Sequence, residues 1–177
     1  MGKIFKAYKN SYLINSGIDK DFYNCVEDLL STKQVLSLAQ YSQHLDINRL
    51  QHVLSVSYLS YLACRKLGLD HNAAARGAVL HDLFYYDWRE KDDNSHRLHG
   101  YRHPGFALKN AKELTTLSKK EENIILRHMW PLTPTPPRFR ESFIVSMSDK
   151  YCATIELIYS FGVRYKIKFL EFGFEIG

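Results

Sequence analysis

The chain reads as an all-α, single-domain helical bundle, and three features of its 177 residues lead there. Apolar residues recur at helical spacing, as at Leu50, Val53, Leu54, Tyr58, Tyr61 and Leu62. Helix punctuation is frequent: Asp46 and Asp70 stand at N-cap positions, Ser118-Lys-Lys-Glu121 has the form of a capping box, and Gly68 offers a stop. With 45% hydrophobic content and no shift of composition along its length, the chain suits one sizeable core and not two.

Taken in order, the first 45 residues predict two short helices, over about 20–31 and 33–43, that cap the bundle. Asp46 is expected to cap a helix running to about Leu67, and Asp70 the next, whose Ala73-Ala-Ala-Arg-Gly-Ala lets it approach its neighbours closely. Residues 85–101 carry no sustained apolar period and read as a long loop over the site. His103 precedes Pro104, a residue favoured in a first turn, so it is expected at the mouth of a helix running to about Leu114. The capping box at Ser118 opens a helix that ends near His128, and Thr133-Pro-Thr-Pro-Pro137 is a stiff connector. A long helix from Arg140 to about Tyr159 follows, and then a tail, 159–177, with alternating Val163, Tyr165, Ile167 and Phe169 that fits either a short strand or a helix extension.

The charge balance of 24 basic against 19 acidic residues, net +5, contains no run of five like charges and no recognition motif, so no nucleic-acid partner is expected. A scattered positive field fits a small anionic substrate. No apolar stretch is long enough to span a bilayer, the start lacks the hydrophobic core of a secretory signal, and Cys25, Cys64 and Cys152 show no disulfide pattern. A cytoplasmic protein without membrane attachment is the expectation; oligomeric state is not legible.

Six side chains able to bind metal follow one another as His52, His81-Asp82, His103, His128 and Asp149. Imidazole nitrogens and carboxylate oxygens suit Fe, Mn, Zn, Ni or Co, whereas a structural zinc site usually brings in thiolates, which the three scattered cysteines do not supply. A lone core histidine is more often structural than a ligand, and composition alone predicts about half a His-Asp pair by chance. The context weighs more: His81-Asp82 ends a small, apolar segment, where two buried polar groups need partners.

Three segments, Arg49-Leu-Gln-His-Val-Leu-Ser-Val-Ser, Gly77-Ala-Val-Leu-His-Asp-Leu-Phe and Val145-Ser-Met-Ser-Asp-Lys, resemble the motifs of the HD-domain metal-dependent phosphohydrolases. The resemblance covers about residues 45–158, with 1–45 as an N-terminal helical cap. It implies that His52, His81, Asp82 and Asp149 hold one metal, and that His103 and His128 complete a second site, as in binuclear members. The cofactor expected is therefore a pair of divalent transition-metal ions.

On that reading Asp82 bridges the ions, and a metal-activated water hydrolyses a phosphate ester or anhydride of a nucleotide-like small molecule. Asp82 and Lys150 are the catalytic candidates, Lys150 as a charge able to neutralise a phosphoryl oxygen. Arg49, one turn before His52, and Arg102 are the candidate substrate contacts. The pattern is most similar to the branch that cleaves dinucleoside polyphosphates symmetrically, which would make Tyr85, Tyr86, Trp88 or Trp130 available for base stacking, although core packing is the commoner role for each. His96 and His99 are open between substrate contact, ligand and surface. Two alternatives remain at this stage: a di-iron oxygenase with the same ligand set, and a non-catalytic nucleotide-binding module.

Overall fold

The computed structural model describes residues 19–44, 47–87 and 99–171, with side chains described as far as residue 158. Helix α1 (Lys20–Leu30) starts where the Asp19 carboxylate accepts the Phe22 N–H at 3.0 Å, and it buries Phe22, Val26 and Leu29, one stripe at helical spacing. A four-residue helix α2 (Lys33–Leu36), capped by Thr32, tightens into a 3₁₀ turn over Ser37–Gln40. The helix expected over 33–43 therefore breaks early. Its last residues form strand β1 (Ser42–His44), which pairs antiparallel with β2 (Ile47–Asn48), Ser42 opposite Asn48 and His44 opposite Ile47.

Helix α3 (Arg49–Lys66) begins with a capping box: Asn48 accepts the Gln51 N–H, and the Gln51 side chain accepts the Asn48 N–H. The expected cap at Asp46 is thus replaced by Asn48; Asp46 itself lies outside the described residues. The stop falls as expected, Gly68 adopting φ 65°, a left-handed conformation that costs a glycine nothing. Asp70 caps α4 (His71–Leu80) by accepting the Ala73 N–H.

Helix α5 (His99–Leu114) starts four residues earlier than expected, so His103 sits in its second turn and not at its mouth. Pro104 therefore lies inside the helix, where it offers no N–H to the carbonyl four residues earlier. The Ser118–Glu121 capping box opens α6 (Lys119–Arg127), and after the proline connector α7 runs over Arg140–Glu171. The 159–171 part of the tail therefore extends the helix; the alternative of a strand does not hold there.

Helices α3 and α4 are the central pair, α6 packs on α4, and α7 crosses α3 and α6. Two apolar clusters fill the space between them, one around Phe22, Tyr61, Val79 and Leu83 under α1, the other around Val56, Ala78, Ile124 and Val145 under α7. Gly77 permits a close approach of α4 to α6: a Cβ there would lie 2.8 Å from Ile124 Cδ1 and 3.0 Å from its Cβ. Burial of each large aliphatic side chain contributes roughly 1.5–3 kcal/mol. No helix among the described residues is long and apolar enough to cross a membrane.

Candidate metal centre

The bundle brings all six predicted ligands to one place. His52 projects from the first turns of α3; His81 is the C-cap of α4, with Asp82 directly after it; His103 lies on α5; His128 is the C-cap of α6; and Asp149 lies on α7. Two of the histidines thus sit at helix ends, where the backbone has carbonyls to spare. The four histidines and Asp82 are buried, and Asp149 retains 13% side-chain exposure.

Three of the histidines are oriented by the backbone. The Nδ1 of His81 lies 2.7 Å from Ala78 O, that of His128 2.8 Å from Ile125 O, and that of His103 2.9 Å from His99 O. A carbonyl only accepts, so each Nδ1 carries a proton and each Nε2 is turned inward. His52 is oriented by a side chain instead, its Nδ1 2.9 Å from Glu156 Oε2, deep in the core. This is the arrangement by which outer groups fix the tautomer of metal-binding histidines.

The inward atoms converge. Asp149 Oδ1 is 3.1 Å from His52 Nε2 and 3.7 Å from His81 Nε2. Asp82 Oδ1 is 3.3 Å from His103 Nε2 and 3.6 Å from His128 Nε2, while its Oδ2 is 3.7 Å from His81 Nε2. Ligands at about 2.1 Å from one ion stand about 3.0–3.4 Å apart at angles of 90–109°, which is close to these spacings. Ligand atoms of His52, His81 and Asp149 fall within 4.8 Å of one another, and so do those of His81, Asp82 and His128.

Protein groups alone do not satisfy this cluster. His81 Nε2 and Asp82 Oδ1 are buried without a hydrogen-bond partner. His103 Nε2 and His128 Nε2 face each other at 2.7 Å, yet both rings have committed their protons to carbonyls, so two lone pairs meet. A cation relieves both conflicts, and the donor set of imidazole and carboxylate suits divalent transition metals. The residues fit a metal.

Electrostatics couple the carboxylates and the imidazoles of the cluster. Burial raises the carboxyl pKa of Asp82, but His81, His103 and His128 override it and hold the group well below the usual range; His52 and His81 do the same for Asp149. Burial lowers the His52 imidazolium, and the carboxylates of Glu156 and Asp149 outweigh it, raising its pKa well above the ordinary value. His128 moves down to about 3, through burial and the neighbouring His81 and His103. It is held neutral, the form that binds metal.

A cavity of about 210 Å³ opens onto this cluster, walled by His52, Asp82, His99, His103, His128 and Asp149 together with Gln43, Met129 and Ala153. His99 Nδ1 is 3.0 Å from the Tyr86 hydroxyl, and its ring stacks on His103 with centroids 4.5 Å apart. His96 and Trp88 lie outside the described residues.

The charged candidates fare differently. Arg49, expected to meet phosphate, is fully buried: its guanidinium donates to Phe84 O at 2.7 Å, Tyr86 O at 3.1 Å and Gln43 Oε1 at 3.1 Å, and lies over the Phe84 ring. Each of its three nitrogens is bonded to protein, which corrects that expectation; Arg49 clamps the segment after Asp82. Lys150 Nζ donates to His128 O at 2.7 Å and to Ser146 O at 3.2 Å, so it tethers the end of α6 instead of facing the cavity. Arg102 stands on the exposed side of α5, outside the cavity wall. Trp130 packs on Phe143, and Tyr85 is partly exposed.

Two contributors were not anticipated from the sequence. Glu156 lies seven residues after Asp149, two turns along the same helix face, and that spacing was a usable signal. Gln43 donates to Asp82 Oδ2 at 3.0 Å from strand β1, which local sequence does not predict.

A comparison with protein families matches the HD domain over residues 49–154, more than half of the chain. The chain belongs to the HD domain family, whose members are generally metal-dependent phosphohydrolases. Comparison with curated proteins and with solved structures returns no match.

Proposed function

We propose that the protein is a binuclear metal-dependent phosphohydrolase that cleaves a phosphate ester or anhydride of a nucleotide-like small molecule. One observation carries the reading: the two oxygens of Asp82 face different ligand groups, Oδ2 toward His81 and Oδ1 toward His103 and His128. A carboxylate so placed could serve two ions, one that His52, His81 and Asp149 would hold and one that His103 and His128 would hold. Divalent ions bound there would supply Lewis-acid polarisation of a phosphoryl oxygen and a nucleophilic water at neutral pH.

The chain's own residues do the rest. Backbone carbonyls and Glu156 hold the rings with Nδ1 bonded outward, so the Nε2 atoms already face the site, and loading would release the proton that His52 carries there. Met129 and Ala153 give the cavity an apolar wall that limits water. His99, steadied by the Tyr86 hydroxyl, presents a polar ring to a substrate entering beside His103. The ligand pattern directs assays first to dinucleoside polyphosphates and then to simpler nucleotides.

The test strips the protein with chelator, reloads it separately with Mn, Co, Ni, Zn and anaerobic Fe(II), and follows phosphate release from a nucleotide panel. Metal-dependent turnover that falls at least about 100-fold in Asp82→Ala is expected. Turnover indifferent to chelator would overturn the reading. So would dioxygen consumption with iron and no hydrolysis under any metal, which would place the chain among the oxygenases.

A further inference from the structure

The strands β1 and β2 precede the segment that matches the HD domain, yet β1 reaches the metal cluster. Gln43 bridges two groups of opposite demand: its side-chain oxygen accepts from Arg49 Nε at 3.1 Å, and its nitrogen donates to Asp82 Oδ2 at 3.0 Å. The chemistry fixes which way the amide points. A guanidinium only donates and a carboxylate only accepts, so oxygen must face Arg49 and nitrogen must face Asp82. Arg49 is itself immobile, bonded to Phe84 O and Tyr86 O beneath the Phe84 ring. The line Arg49–Gln43–Asp82 therefore runs from a rigid anchor to the carboxylate between the two ligand groups.

We infer that Gln43 is a positioning residue that sets the orientation of Asp82, so that metal binding by this HD domain depends on a side chain supplied from outside it. The inference rests on the metal reading above. With Oδ2 tied to Gln43, the carboxylate cannot turn about its own axis, and Oδ1 stays directed at His103 and His128. Without the amide, Asp82 is free to rotate and to pair with His81 alone. Groups that orient metal ligands typically change metal affinity by about 10–100-fold.

The experiment titrates the chelator-treated full chain with Co²⁺, reading the visible absorption of the bound ion and the stoichiometry, for wild type, Gln43→Leu and Gln43→Ala. The far-UV spectrum and the metal-free melting point of each variant are recorded alongside. Wild type is expected to take two equivalents. Both variants should keep wild-type helicity, bind cobalt at least about tenfold more weakly at one site, and show an altered visible band, which a merely structural loss would not produce. Unchanged affinities and an unchanged band in both variants, with wild type binding two ions, would overturn this inference alone. Wild type that takes up no cobalt would overturn the proposed function and this inference with it.

Discussion

Replacing His128 with leucine separates a metal ligand from a satisfied core histidine, because the two roles predict opposite results in the metal-free protein. His128 makes one bond that leucine cannot, from Nδ1–H to Ile125 O at 2.8 Å, and losing it costs about 1 kcal/mol. Against that, its Nε2 lone pair faces the His103 lone pair at 2.7 Å, and leucine removes the conflict while filling the space with apolar atoms. The contacts that end α6 survive, since Ser146 and Lys150 bind the backbone carbonyl of residue 128 and not its ring. The two terms nearly cancel, so metal-free His128→Leu should lie within about 1 kcal/mol of metal-free wild type.

Metal changes the comparison. At a concentration about a thousand times its dissociation constant, one ion stabilises the folded state by about 4 kcal/mol, and for a chain of this size each kcal/mol raises the melting point by about 2–4 °C. Wild type should therefore gain at least about 8–16 °C on loading, whereas His128→Leu should lose the part of that gain owed to the ion beside His103. Thermal unfolding followed by circular dichroism, with chelator and with Mn²⁺, measures both quantities. A variant that keeps the whole metal increment would refute the assignment of His128 as a ligand. A metal-free variant destabilised by more than about 3 kcal/mol would show that the ring serves the core.

Three further outcomes are expected. Arg49→Lys keeps the charge but not the planar fork that reaches three acceptors, and should lower stability by about 2–4 kcal/mol in urea unfolding; unchanged stability with a raised KM would restore Arg49 as a substrate contact. Gly77→Ala should cost about 1–2 kcal/mol, because the new methyl meets Ile124 Cβ, which cannot swing aside, and the gain in helix propensity offsets only part of the overlap; an equal or higher melting point would contradict the close approach of α4 and α6. The third concerns acid. Burial raises the carboxyls of Asp70 and Glu141, but the Ala73 N–H and then Lys120 outweigh it for Asp70 and Lys120 does so for Glu141, with Nζ 3.1 Å and 2.9 Å away, so both pKa values fall below their ordinary 3.8 and 4.5. Below that range the unfolded chain binds protons that the folded one does not, so stability is intact above it and falls as pH drops through the lowered values. Lys120→Met should flatten that decline in chelated protein, measured by urea unfolding at pH 6 and pH 3.5.

Helix order and most helix ends were legible because their signals are local: caps at Asp70 and Ser118, a stop at Gly68, and apolar stripes in α3. What failed depended on distant partners. Asn48 took the cap from Asp46 because Gln51 completes a reciprocal pair, and the helix expected to reach residue 43 gave way to β1, which is held by β2 and by the Gln43 bond to Asp82. The six candidate ligands were legible as an ordered series of residue types, and their convergence required only that the helices pack. Roles of individual cations were not legible, since a side chain on the right turn of α3 or α7 points at phosphate or at a carbonyl depending on neighbours far along the chain. Arg49 and Lys150 both turned to carbonyls, those of Phe84, Tyr86 and His128. Sequence spacing does not encode that choice.

The central claim, that two ions share this site through Asp82, is tested most directly by diffraction from metal-loaded crystals at the absorption edge of the bound metal. The account predicts two anomalous peaks about 3.5–4 Å apart, one among His52, His81 and Asp149, the other beside His103 and His128, with Asp82 between them. A single peak, or none within reach of Asp82, would contradict it.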